Sequence, residues 1–203
     1  PFDWPDPYLR EVQGLRAARQ NLADRANYLL MQGRFDEGEQ LLTQILEATP
    51  GDAEALLLAG RLRIQQRRCA EAESFLSRHL AVRTNSLQGF VQLGLARFCQ
   101  GRWTESAAAF RMATELKPDF AQAHYNLGLA LARQGDPAAA AIEAFEAALR
   151  CQPGDANAHA ALAEEYLRQG DSALAKEHAT RALAIDSRQA KALKVREQAE
   201  GSR

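Results

Sequence analysis

No stretch of the 203 residues stays apolar over the roughly 20 positions that a membrane-crossing helix needs, so membrane insertion is not expected. A charge excess is also lacking. The 25 Lys and Arg stand against 26 Asp and Glu, a net charge of -1, with both signs interspersed, so no overall field draws the chain to nucleic acid. Cys69, Cys99 and Cys151 are widely spaced and form no C-x-x-C unit. That spacing suggests neither a zinc site nor a disulfide framework, and the three read as small apolar side chains. Phosphate loops, nucleophile motifs and dinucleotide glycine patterns are absent, so no catalytic residue, metal or cofactor is expected. The N-terminus "PFDWPDPYLR" lacks the charged and apolar zones of a signal peptide. Because the chain starts on Pro1 and ends in "GSR", it reads as a segment of a longer protein, and this last absence says nothing of the parent.

What is present is a repeat in a composition that supports a core, with 46% of residues hydrophobic and 25% charged. "HYNLGLALARQGD" from His124 has altered copies in "FVQLGLARFCQGR" from Phe90, "HAALAEEYLRQGD" from His159 and "LADRANYLLMQGR" from Leu22. Of the glycines that end them, Gly101 and Gly135 stand one period of about 34 residues apart, and Gly33 lies two such periods before Gly101. Gly170 comes one residue late, and the missing member of the series falls at Arg67. Pro50, Pro118 and Pro153 mark a second series in the same register, with Thr84 and Ser187 where proline is lost.

Such a period, made of helix, turn and helix, resembles the tetratricopeptide repeat, whose pattern is W-x2-L-G-x2-Y, then A-x3-F, then P. Leu127, Gly128, Leu131, Ala141, Phe145 and Pro153 make the best copy, with one residue inserted in "GDPAAAA"; Leu93, Gly94, Ser106, Phe110 and Pro118 make another. The resemblance implies an all-α, right-handed solenoid of antiparallel helix pairs. Five repeats are expected at 19–52, 53–86, 87–120, 121–155 and 156–189, each stable only when stacked on its neighbours. Residues 190–203 resemble a polar capping helix anchored by Leu193. In residues 1–18, Asp6 and Pro7 form a helix start, followed by Tyr8, Val12 and Leu15 at helical spacing, and "PFDWP" before them is expected to be extended.

Tetratricopeptide arrays bind peptide segments or helices of other proteins in a concave groove lined by the first helix of each pair. The resemblance therefore implies a non-catalytic interaction module, the adaptor part of a larger protein. Groove positions of the family, carried onto this chain, select an apolar strip of Leu57, Val91, Leu95, Phe98, Tyr125 and Leu129. Asn27 and Arg61 flank it at one end, and Arg133, Glu164 and Arg168 at the other. Such a strip fits an apolar or amphipathic segment of a protein partner; the alternative is that neighbouring helices cover these side chains. The family's carboxylate clamp is a poor fit, because Asn126 stands at its middle asparagine but Val91 and Leu95 occupy the places of its lysine and asparagine.

A structural self-assembly element competes with the adaptor reading, forming a homo-oligomer through its ends or through Phe2, Trp4 and Tyr8. Those aromatics either cap the first repeat or dock in a groove. His124 and His159 lie one repeat apart, too far for a shared metal with bonds of about 2 Å, and His79 and His178 have no evident partner. Arg61, Arg63, Arg67 and Arg68 cluster near a helix C-terminus, where cations are favoured; they form either a solvated helix end or an anion site.

Overall fold

The computed structural model describes residues 22–135 and 138–201. The expectations for Phe2, Trp4, Tyr8 and the leading helix, and for the insertion at Asp136 and Pro137, lie outside these residues. The chain forms two compact units, residues 1–92 and 93–203, and among the described residues every regular element is a helix. The first unit holds α1 (22–31), α2 (Phe35–Ala48), α3 (Ala53–Gln65), α4 (Cys69–Val82) and the start of α5 (Leu87–Cys99). The second holds the rest of α5, then α6 (Trp103–Leu116), α7 (Ala121–Gln134), α8 (Ala138–Cys151), α9 (Ala156–Arg168), α10 (Ser172–Ile185) and α11 (Ala190–Gly201). Within each unit, successive helices pack on one another, α3 on α2 and α4, and α7 on α6 and α8.

Four of the turns inside helix pairs share one geometry. After α1, the Arg34 amide donates to the Leu29 carbonyl at 2.9 Å and the Gly33 amide to Leu30 at 3.1 Å. These are the two bonds of a Schellman cap. The same pair of bonds follows α3, α5 and α9. The cap needs a left-handed residue, which Gly33, Gly101 and Gly170 supply at φ 75°, 74° and 86°. Arg67 adopts φ 61° at the position where the series lacks its glycine, so the turn geometry prevails over the side-chain preference.

Within a pair, the helices meet through a small residue on the first and a large one on the second. A Cβ added at Gly60 would lie 2.6 Å from the Leu76 side chain, at Gly94 2.6 Å from the Phe110 ring, and at Gly128 2.6 Å from the Phe145 ring. Ser106 adds a hydrogen bond across the α5–α6 contact, donating to the Gly94 carbonyl at 2.8 Å. In α9 and α10 both sizes change together: Ala163 stands in the glycine position and Ala179 in the aromatic one, both buried in one alanine-rich cluster.

Polar links fix the remaining ends. Asp52, Asp155 and Asp171 accept amide hydrogen bonds at the starts of α3, α9 and α10. Arg34, Arg68 and Arg102, equivalent positions of successive repeats, pair with Glu37, Glu71 and Glu105 at the starts of α2, α4 and α6. Arg63 bonds Glu39 of α2 at 2.6 Å and, with Gln66, holds that carboxyl down at about 2. Two of the four clustered arginines, Arg63 and Arg68, are thus committed to carboxylates.

Cys151 is free and exposed. One expectation is corrected. The interior anchors of α11 are Ala192 and Val195, with Leu193 only half-buried. Ala192 and Val195 stand at i and i+3 and share the face that joins the alanine cluster of α9 and α10.

Replacing Gly128 with alanine gains about 1 kcal/mol of helix propensity but forces the buried Phe145 ring aside, at about 1–3 kcal/mol. Urea denaturation should therefore show Gly128→Ala to be net destabilised. Arg67→Gly relieves a left-handed conformation that costs an L-residue about 1–2 kcal/mol and adds about 0.5–1 kcal/mol of unfolded-state freedom. Its melting temperature should rise by about 2–4 °C.

Candidate functional site

The groove residues divide between the two units. In the second, Leu95 and Phe98 on α5 and Tyr125 and Leu129 on α7 are all half-buried. Each aromatic has a fixed inner side. Phe98 meets Trp103 edge on, with ring centroids 4.7 Å apart, and Tyr125 lies 5.8 Å from Phe145. Burial, followed by the charges of Asp155 and Glu164, raises the pKa of the Tyr125 phenol above its ordinary value. α9 packs beside α7, and α11 beside α9, so the first helices of consecutive pairs are neighbours here.

The charged residues expected beyond this strip are mostly engaged. Glu164 pairs with Lys191 of α11 at 3.1 Å, and Arg168 pairs with Glu165 one turn earlier. Arg133 makes no ion pair among the described residues. Gln189 also donates to Asn157 at 2.8 Å, tying the start of α11 to α9. The Glu164–Lys191 pair is exposed on both sides and contributes about 0–1 kcal/mol, so a ligand charge can displace it at small cost.

In the first unit, Asn27 and Arg61 border a small cavity of about 60 Å³ together with Leu30, Met31, Leu58, Leu62 and Gln65. Leu57 and Val91, expected on the strip, are buried and are corrected to interior residues. Leu57 lies in a run of three buried leucines on α3 and borders a different cavity, of about 540 Å³, with Glu54, His79 and Gln88. Asn126, the residue in the clamp position, is buried too.

All four histidines make polar contacts. Ser86 Oγ accepts from the Gly89 amide at 3.0 Å and lies 2.8 Å from His79 Nε2, while His79 Nδ1 donates to the Ala53 carbonyl at 2.7 Å. His124 Nε2 donates to the Pro118 carbonyl at 2.8 Å. His178, which has no evident partner in the sequence, lies with its Nδ1 3.0 Å from Nδ1 of His159. His159 Nε2 donates to the Pro153 carbonyl at 3.1 Å, since a carbonyl can only accept. Its Nδ1 is therefore unprotonated and His178 Nδ1 supplies the shared hydrogen. Tyr166 stacks on His178 and donates to Glu146 at 3.0 Å. Among the described residues no group of three or more His, Cys, Asp or Glu is placed to hold a metal ion, and no helix is long and apolar enough to cross a membrane.

Tetratricopeptide repeat models match residues 29–89, 91–156 and 144–177, together spanning both units. The chain belongs to the tetratricopeptide repeat family. No curated protein matches it in sequence. Among solved structures, that of MamA is similar, with 26% identity and a TM-score of 0.75, covering 82% of this chain and 96% of MamA. YrrB, a tetratricopeptide repeat protein with an unusual peptide-binding site, aligns at 19% identity and TM-score 0.76, covering 95% and 98% of the two chains. PilF of Pseudomonas aeruginosa aligns at 19% identity and TM-score 0.82, covering 93% and 85%. The likenesses to YrrB and PilF concern the fold alone. A tetratricopeptide repeat fold points to protein–protein interaction as the general role.

Burial lowers the pKa of both His159 and His178, with mutual repulsion and Arg181 adding to the effect at His178. The unfolded chain then binds more protons than the folded one below the ordinary histidine pKa of about 6.5. Stability is complete above that pH and is lost as pH falls through it toward the folded values. Thermal melts should show the melting temperature falling between about pH 7.5 and about pH 5.5, with a smaller fall in a His159→Gln/His178→Gln variant. The difference between the two slopes isolates the histidines from Glu165, whose raised pKa acts in the opposite direction.

Proposed function

We propose that this protein is a non-catalytic interaction module that binds an apolar or amphipathic segment of a partner protein along the first helices of its pairs, as the adaptor part of a larger protein. One observation carries the reading: Leu95, Phe98, Tyr125 and Leu129 are neither buried as core residues nor replaced by polar ones. Four large apolar side chains on the first helices, with Arg133, Glu164 and Arg168 beyond them, have the apolar centre and charged margin of a protein-binding surface. Asn27 and Arg61, at their own cavity in the first unit, are a separate candidate contact within that unit. The peptide-binding site of YrrB belongs to that protein, and it supports the class of ligand proposed for this one. The burial of Asn126 and Val91 weighs against a clamp for acidic tails.

Peptides selected from a random display library against the intact chain provide the test. Leu129→Glu and Leu95→Glu should each weaken the selected peptides by at least about tenfold, the loss of about 1.4 kcal/mol or more that burying one large apolar side chain supplies. Arg111→Glu, on the exposed side of α6, should leave binding intact, and thermal melts should confirm that all three variants fold. Binding indifferent to both leucines would overturn the reading, as would selection that returns no peptide while the chain's mass rises with concentration.

A further inference from the structure

A cavity of about 380 Å³ in the second unit takes no part in the groove, since none of the groove residues borders it. Arg150 of α8, His159 of α9, and His178 and Arg181 of α10 supply its basic lining. Leu149 and Pro153 add an apolar part, and among the described residues Glu146 is its one carboxylate. The repeat accounts for only some of this set. His159 has a structural duty, because its bond to the Pro153 carbonyl repeats the one that His124 makes to Pro118 one repeat earlier. His178 and Arg181 have no such duty: the same positions of α8 hold Ala144 and Ala147. A second helix of this unit therefore packs with alanines where α10 presents two basic groups to a cavity.

These basic groups have bonding capacity to spare. Arg150 is exposed and makes no hydrogen bond or ion pair among the described residues. Arg181 pairs with Glu177 at 2.6 Å, but both side chains are about half exposed, and such a pair yields readily to a better acceptor. Glu146 already accepts from Tyr166 of α9. His178 gives its Nδ1 hydrogen to His159, so its Nε2 is unprotonated in the neutral ring and has no hydrogen-bond partner among the described residues. A second proton enters there without breaking the contact with His159, and it makes Nε2 a charged donor on the same cavity as two guanidinium groups. In the free protein burial, His159 and Arg181 oppose that proton, against a weaker pull from Glu177 and Glu146. A bound anion offsets the repulsion from Arg181.

We propose that this cavity binds an oxyanion carried on a short apolar body, with Arg150 and Arg181 as its charge partners, His178 Nε2 as a proton-dependent donor, and Leu149 and Pro153 against the apolar part. Carboxylate and phosphate share the chemistry required, since guanidinium groups bind either through paired N–H donors. The site is independent of the groove, and either can fail without the other.

Imidazole NMR of the intact chain, titrated with benzoate and with phenyl phosphate at constant ionic strength, tests it. Either probe should raise the protonation midpoint of His178 by about half a pH unit or more relative to chloride, as linkage requires of a ligand that binds the protonated ring about threefold more tightly. Arg150→Gln and Arg181→Gln should each weaken binding at least about fivefold, whereas Arg111→Gln, on α6, should leave it unchanged. Both cavity arginines are exposed, so neither replacement threatens the fold. Benzoate keeps a constant charge between about pH 7 and about pH 5.5, so its affinity should rise as pH falls through that range, and rise less in His178→Gln. The tighter of the two probes assigns the group as carboxylate or phosphate. Equal His178 midpoints in chloride and in both probes rule the site out, and so does binding that Arg150→Gln and Arg181→Gln leave unchanged.

Discussion

Close approach of two helices at a single point per pair is the contact on which the structure depends. The glycine on a first helix removes a Cβ that would otherwise sit 2.6 Å from the ring or branch opposite, and the large side chain enters the space so released. Glycine in a helix interior costs about 1 kcal/mol relative to alanine, whereas a fully buried Leu or Phe contributes about 1.5–3 kcal/mol. The exchange is favourable only because both residues are present. Where the aromatic is lost, at Ala179, the glycine is lost with it, and α9 and α10 meet through alanines alone.

Features that belong to one helix pair were legible in the sequence, because the repeat presents the same local problem several times. The turn glycines, the small residue of each first helix and the large residue of each second were all visible as series. The Arg34, Arg68 and Arg102 series, with its glutamates at i+3, was equally periodic and could have been found by aligning polar residues as well as apolar ones. At Arg67 the series is interrupted by the loss of its glycine, and the backbone keeps the left-handed turn regardless.

Less legible was anything decided by a neighbouring helix. Groove positions transferred from the family named Leu57, Val91, Leu95 and Leu129 on equal terms, yet the first two are interior and the last two only half-buried. The difference lies in what packs alongside, which no periodicity reports. Leu193 was the largest apolar residue of α11, but Ala192 and Val195 face the alanine cluster, where small side chains fit. The partnership of His159 with His178 joins two different helices, and the direction of its hydrogen follows only from the carbonyl on the far side of His159. The charges of Glu164 and Arg168 were expected to wait for a ligand, and α11 and α9 themselves supply their partners. What the binding face retains as its own is its apolar content.

The paired change of size at Gly128 with Phe145 and at Ala163 with Ala179 bears on how such a chain can lengthen. A single helix moved from one repeat to another would carry half of a matched contact and either collide or leave a void. Two helices moved together carry both halves and the left-handed turn between them. Duplication by whole pairs is therefore the step that conserves packing.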